Sequence, residues 1–412
     1  MNIAHFSWEY PPVIFGGLGT FATEITLQQK RFGHNVSVFN LNYNNSLPEE
    51  ENWNDINVYR PKTLNLTGPL YTFANYELKN WGSNFSFFAD VMAYNILAAQ
   101  KLSSLVRKHN KTYDLVDAHD WLGINGGIIA KKEHDIPLFF HVHSTEVGRS
   151  TGHGSHTIQQ IEYEGGQAAD CVITVSHAMK EELKALGFPE HNIRVCWNAV
   201  DPEKYHPDRF NDAQKKELRN HYGIKDDETM LFFVGRLVTV KGVDNLVSAM
   251  PEVIKEYPKT KLVILGLGDM DAQLKYIAQQ HGISDHIIQR NEFVSEEERI
   301  LHYAASDAVV LPSIYEPFGI VSTEAMSMAK PTIVGASGTN GMREQIIASG
   351  QDKCGIHVDG NSASDIAWGI KQILEDPKES KQWGINARER VYEEFTWDHI
   401  AKNMLAIYQE FL

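Results

Sequence analysis

Glu316 and Glu324 stand on either side of Pro317-Phe318-Gly319, just after the apolar run Ala308–Leu311. Such a run reads as a strand buried on both faces, as in a parallel sheet. The turn would then lie at the strand's carboxyl end, with a helix starting near Gly319. The amides of Phe318, Gly319, Ile320 and Val321 would point toward an anion, aided by the helix dipole. The two glutamates are anions themselves, so they suit the hydroxyl-bearing part of a phosphorylated ligand. Glu316 would reach a sugar hydroxyl and Glu324 a vicinal diol such as a ribose. A plain helix start, with acids favouring its own dipole, would use the same residues.

Four other stretches carry chemistry of their own. Gly235-Arg236 and Lys241-Gly242 follow the apolar run Met230–Val234. Two cations at the end of a parallel strand lie where open α/β sheets bind ligands, and they suit a diphosphate. A solvated charge pair fits the same letters. Gly16-Gly17-Leu18-Gly19 follows the first strand-like run; it would let amides approach a phosphate, or merely make a tight turn. It departs from the dinucleotide pattern G-x-G-x-x-G with its later acid. His119, at the end of Leu115–Ala118, suits a sugar hydroxyl or a proton, though a lone strand-end histidine also fits a structural role. His141, His143, His153 and His156 lie close together in the chain, but their spacing matches no standard zinc pattern. The polar loop holding His143, Glu146 and Arg149 better suits an acceptor, and no metal ligand is assigned.

The elements that must position these groups alternate between strand-like and helix-like segments, the mark of α/β layers with parallel sheets. The first half offers strands at Ile3–Ser7, Val36–Phe39, Leu115–Ala118, Leu138–Val142 and Cys171–Val175. Helices are expected at 20–33, 85–109, 121–134, 155–168 and 177–186. After a polar stretch from Asn198 to Lys225, a second series follows at Met230–Val234, Lys261–Leu265, His286–Arg290, Ala308–Leu311 and Pro331–Val334. With 412 residues, two domains are expected, 1–200 and 201–395. A last helix, 396–412, follows a break at Phe395-Thr396-Trp397. Its Ile400, Met404, Ile407 and Phe411 share one face, which should be buried.

Charge and cysteine usage narrow the class. Lys+Arg 38 against Asp+Glu 53 gives a net −15, which disfavours nucleic acid or anionic lipid as the partner. Any anionic ligand then needs a local positive site. Three cysteines, Cys171, Cys196 and Cys354, suggest neither a disulfide framework nor a metal site. No signal peptide or apolar stretch of membrane-spanning length is read, so the expected location is cytoplasmic without stable membrane association. The basic run Arg107, Lys108 and Lys111 fits a solvated face better than a lipid surface.

In combination these residues resemble the retaining, nucleotide-sugar-dependent glycosyltransferases, specifically the group with bacterial and archaeal glycogen-synthase-like enzymes. The resemblance spans essentially the whole chain. It rests first on Glu316-Pro317-Phe318-Gly319 with Glu324, then on Gly235-Arg236 with Lys241, then on Trp8-Glu9-Tyr10-Pro11-Pro12 with Gly16-Gly17-Leu18-Gly19. It implies an α/β fold of two facing Rossmann-like domains, the B-type glycosyltransferase fold, with the active site in the interdomain cleft. The first domain, with the last helix packed back on it, would hold the acceptor, and the second the nucleotide sugar. By this resemblance Glu316 holds donor-sugar hydroxyls, Glu324 the ribose, and Gly16, Gly17 and the amides from Phe318 to Val321 meet the donor. Arg236 and Lys241 neutralise the leaving diphosphate, His119 sits against the sugar, and no metal or other cofactor is implied. One departure is Asn198-Ala199-Val200-Asp201, where the group usually carries Asn-Gly-Val-Asp.

The function this implies is transfer of glucose from ADP- or UDP-glucose to a glucan or other glucoside, with retained configuration. A lipid-linked or small acceptor would suit the same fold. A nucleotide-sugar epimerase or a non-catalytic nucleotide-sugar sensor belongs to another class. Nucleoside diphosphate release that depends on acceptor separates transferase from epimerase, and a sensor would bind donor without turnover.

Overall fold

Runs such as Met230–Val234 and Ala308–Leu311 are apolar at successive positions because strands covered on both faces bury every side chain. The computed structural model describes all 412 residues, which divide into two compact units. Unit 1 comprises Met1–Trp197 with Trp397–Leu412, and unit 2 comprises Asn198–Thr396.

Unit 1 is built on eight strands: β1 (Asn2–Ser7), β2 (Asn35–Asn40), β3 (Glu50–Trp53), β4 (Ile56–Tyr59), β5 (Leu115–His119), β6 (Leu138–Val142), β7 (Cys171–Thr174) and β8 (Ile193–Val195). Their order is β3-β4-β2-β1-β5-β6-β7-β8, and all neighbours are parallel except β3 and β4. That pair is a hairpin closed by Asn54 and Asp55, both at positive φ (51° and 62°), as a two-residue primed turn requires. Neither strand was anticipated, because Glu50–Trp53 is polar and half exposed at the sheet edge. Short β8 also escaped the apolar pattern.

Unit 2 carries six parallel strands: β9 (Thr229–Val234), β10 (Thr260–Leu265), β11 (Ile287–Arg290), β12 (Ala308–Leu311), β13 (Thr332–Gly335) and β14 (Gly355–Val358). Their order, β11-β10-β9-β12-β13-β14, is that of a doubly wound dinucleotide-type sheet, and it reverses between β9 and β12. The unanticipated strand is β14, four residues beginning with glycine. Helices Val243–Glu256 and Ala363–Glu375 cover the sheet over a core of Leu231, Leu246, Ile264, Val310 and Ile370.

The last helix, Trp397–Gln409, belongs to unit 1. Its face of Ile400, Met404 and Tyr408 is buried. Trp397 meets Phe21 of helix Gly17–Arg31, and Tyr408 packs edge-on against Phe139 of β6. No helix in the molecule is long and apolar enough to cross a membrane. On helix Phe85–His109, Lys101 pairs with Glu50 and Arg107 with Glu133, so these charges form a solvated ion-paired face.

Candidate active site

In unit 2 the chain leaves β9 through Gly235 and Arg236, makes one 3-10 turn at Thr239–Lys241, and enters helix Val243–Glu256. Gly242 joins turn to helix at φ 63°, and a Cβ there would lie 2.2 Å from the Pro312 carbonyl oxygen. A side chain at 242 would therefore push this loop away from the end of β12. The two are also stitched directly, because the Ile314 and Tyr315 amides donate to the Val240 carbonyl at 2.8 and 3.2 Å. This stitching brings Lys241 into an ion pair with Glu316, both half-buried.

Glu316 is fixed from its other side. Its amide donates to Thr339 (3.1 Å), and its carbonyl accepts from the Gly341 amide at 2.8 Å. Gly319 follows at φ 86°, where a Cβ would meet Met342 Cγ at 2.6 Å, and caps helix Ile320–Ser327. The amides of Gly319, Ile320 and Val321 find no protein acceptor. Phe318 is buried, and its carbonyl accepts from Gln345 at 2.7 Å. Arg236 is exposed and has no protein partner. The structure thus brings together Lys241, Glu316 and a set of unfilled amides, with Arg236 earlier in the same β9 loop. This arrangement can hold an anion beside a hydroxylated ring.

Glu324, expected at a ribose, is engaged by protein donors on both carboxylate oxygens. It is 5% exposed, and one carboxylate oxygen accepts from Tyr205 (2.8 Å) and Arg299 (3.1 Å) while the other accepts from Tyr303 (2.8 Å). A carboxylate offers about four lone-pair sites, so in this arrangement one is left, enough for a single hydroxyl rather than a vicinal diol. Burial, with Glu324 next to it, pushes the Tyr205 phenol far up, so it stays a donor. None of Tyr205, Arg299 and Tyr303 was singled out from sequence, because they converge only in three dimensions.

In unit 1 the glycine loop is occupied from within. Glu9 Oε2 accepts from the amides of Phe15 (2.9 Å) and Gly16 (3.0 Å), so the Gly16 amide expected at a ligand already has an anionic partner. Gly17 opens helix Gly17–Arg31 and is exposed.

The strand register then builds a cluster that sequence spacing concealed. His5 pairs with Asp117 across β1 and β5, and His119 with His141 across β5 and β6. His5 Nε2 lies 2.8 Å from Gln29 Oε1, His5 Nδ1 3.1 Å from His119 Nε2, and His119 Nδ1 3.1 Å from His143 Nε2. Since a carbonyl oxygen only accepts, His5 must donate from Nε2, which makes its Nδ1 an acceptor. His119 then donates from Nε2 and accepts at Nδ1 from His143 Nε2–H. Three neutral imidazoles thus run in one direction. Burial drives His119 down to about 3 against the opposing charge of Asp117, and burial likewise lowers His5 and His143.

This geometry corrects the expectation for His119. The residue is fully buried and both ring nitrogens are engaged by other histidines, so it has none to offer a sugar. The less buried end of the chain is His143, whose Nδ1 is uncommitted. Asp117 sits beneath, with the Tyr408 hydroxyl donating to Oδ2 at 2.5 Å.

His119, His141 and His143 are one group that could hold a metal, with ring nitrogens within 4.8 Å of one another, and His5, Asp117 and His119 are a second. However, the His141 and His143 rings are parallel to 1° with centroids 4.4 Å apart. A nitrogen lone pair lies in its ring plane, so parallel stacked rings do not aim theirs at one ion. His153 and His156 lie outside this cluster.

The acceptor-side candidates form a clip beside it. Arg149 donates to Ser144 Oγ (2.6 Å), Glu146 (3.2 Å) and Glu162 (3.3 Å). Burial raises Glu162, also missed from sequence, to about 8 despite Arg149. Asp120 Oδ1 accepts from the His143 amide at 2.7 Å, tying the loop to β5.

Comparison with known proteins places these units. The family model "Glycosyltransferase Family 4" matches residues 15–204, and "Glycosyl transferases group 1" matches residues 214–390. An uncharacterized glycosyltransferase of Methanocaldococcus jannaschii is 34% identical over 99% of this chain and 98% of its own. A glycogen synthase of Mycobacterium tuberculosis is 28% identical over 99% of this chain and 94% of its own. Among solved structures, the catalytic domain of starch synthase IV from Arabidopsis thaliana, bound to ADP and acarbose, superposes with a TM-score of 0.75 at 17% identity, covering 100% and 99% of the two chains.

Proposed function

This chain belongs to the two-unit glycosyltransferases, and from that premise we propose that it moves glucose from ADP- or UDP-glucose onto a glucan or other glucoside with retained configuration. The observation that carries the proposal is the Lys241–Glu316 ion pair beside the unfilled Gly319–Val321 amides. In this reading the amides take the donor diphosphate, and Arg236 and Lys241 stabilise the charge that grows on it as the C1–O bond breaks. Glu316 accepts from donor-sugar hydroxyls and so orients the ring. The acceptor hydroxyl attacks C1 on the face the diphosphate leaves, and its proton passes to the departing phosphate oxygen. No metal is assigned, since the two cations supply the positive charge. Unit 1 presents the acceptor through His143, Glu146 and Arg149. The name of the glycogen synthase relative supports a glucan acceptor.

The test is a matrix of nucleotide sugars against sugar acceptors, reading nucleoside diphosphate release and the product anomer by NMR. Acceptor-dependent release with an α-linked product from an α-donor is expected. Release independent of acceptor, or an inverted product, would overturn the reading.

A further inference from the structure

Between β4 and helix Phe85–His109 the chain makes helix Thr67–Phe73, helix Tyr76–Lys79 and a 3-10 turn at Gly82–Asn84. This segment has no part in the chemistry above. It forms one wall of a groove of about 890 Å³ whose other wall is the loop from Glu146 to Ile158. Glu77 clips the walls together, accepting from the Ser155 hydroxyl and from the amide and hydroxyl of Thr157, both at 3.2 Å. The volume falls at the upper end of the roughly 300–1,000 Å³ that encloses a drug-sized ligand. It therefore suits an oligosaccharide better than a single sugar.

We propose that this groove binds the distal units of a neutral oligosaccharide acceptor; this rests on the transfer reading above and assigns the acceptor's length and charge. The lining argues for that class. Trp81 and Phe87 offer aromatic surface, and both rings are braced edge-on, Trp81 on Phe88 and Phe87 on Trp8 and Trp121. Pyranose rings present apolar C–H faces that lie against such surfaces, with hydroxyls projecting around their edges. Groups to meet those hydroxyls stand beside the rings: the side-chain amides of Asn80 and Asn84 have no protein partner, and neither does the exposed His153. Glu77 and Glu146 add carboxylates, while no lysine or arginine lines the groove. Glu146 is neutralised by Arg149, but the Glu77 carboxylate has no cation partner and no cation lines the groove, which disfavours phosphate, nucleotide and anionic lipid and leaves a neutral polyol. Continuity sets the direction, because Glu146 lines the groove and also accepts from Arg149 of the acceptor-side clip.

The experiment compares kcat/KM for maltose through maltoheptaose in wild type, Trp81→Ala and Phe87→Ala. Phe87 is half exposed, so its truncation leaves the core intact if Trp81→Ala misfolds. In the wild type kcat/KM should rise with chain length. In either folded variant the advantage of maltoheptaose over maltose should shrink about tenfold, the effect of losing one good contact, with the donor KM unmoved. An unchanged length dependence in both variants, or none in the wild type, would overturn the groove. If no maltooligosaccharide accepts glucose at all, the glucan reading fails instead. The groove is then judged by titrating maltoheptaose into the enzyme without donor: binding weakened about tenfold by Phe87→Ala keeps it, and no binding removes it.

Discussion

Two polar clusters occupy strand ends in this molecule, and they treat charge in opposite ways. In unit 2, Arg236 is exposed without a partner, Lys241 meets Glu316 at a half-buried loop, and the amides after Phe318 remain unfilled. In unit 1, His5, His119 and His143 form one hydrogen-bonded chain aligned from Gln29, and burial lowers the pKa of each. The first cluster keeps charge within reach of a ligand. The second removes charge from water and holds its members in one tautomeric order. A strand-end histidine beside an acid therefore marks a site less well than a strand-end cation whose partner is a loop carboxylate.

The contrast should break first at Lys241. On the proposed reading, Lys241→Ala removes charge that stabilises the transition state more than the bound donor, so kcat should fall about 10²–10³-fold, or roughly 2.7–4 kcal/mol. Steady-state kinetics on folded protein test this, and wild-type kcat would remove Lys241 from the mechanism.

Its counterpart in unit 1 is Tyr408→Phe, which deletes the donor to Asp117 Oδ2 while Oδ1 already lacks a partner. A hydrogen bond to a buried charged group contributes about 1.5–3 kcal/mol. The urea midpoint should drop while the folded enzyme keeps its transfer rate. An unchanged midpoint would mean that the carboxylate is not sustained by this contact.

Acid should sharpen the comparison. His5, His119 and His143 have folded-state pKa values below the unfolded value near 6.5. Their contribution is complete above that pH and is lost as pH falls, because the unfolded chain takes up protons that the folded chain refuses. For His119 the window extends down to about 3. Near pH 5, replacing His119 by Gln should flatten stability against pH by up to one proton, about 1.4 kcal/mol per pH unit. Denaturant titrations at several pH values measure it, and parallel curves for variant and wild type would show that His119 is not held neutral.

The smallest effect concerns Arg236. An exposed, unpaired side chain should leave stability within about 0.5 kcal/mol when replaced by alanine. A larger fall in the urea midpoint would show that Arg236 has a structural partner.

The sheets were legible because their strands are doubly buried: Ala308–Leu311 and Leu138–Val142 are apolar enough to be read directly, and both are strands. The β3–β4 hairpin carried a usable signal in Asn54-Asp55, but its polar first strand masked it. At the site, Lys241 and Glu316 were legible because each lies within a few residues of a strand end, where loop geometry fixes its position. The His5–His119–His143 chain was not, since it depends on the register among β1, β5 and β6 and joins residues more than a hundred positions apart. Glu324 shows the same limit: its position in the helix was readable, but its long-range partners Tyr205, Arg299 and Tyr303 were not.

The central claim is that two fixed cations of unit 2 do for a diphosphate what a bound metal does elsewhere. Titration of ADP and UDP into the protein in excess EDTA, beside the double variant Arg236→Ala/Lys241→Ala, addresses it most directly. The account predicts that the wild type binds at least one nucleotide without a divalent ion, and that the double variant binds at least tenfold more weakly. Binding that needs added divalent ion, or equal affinity in the double variant, would contradict it.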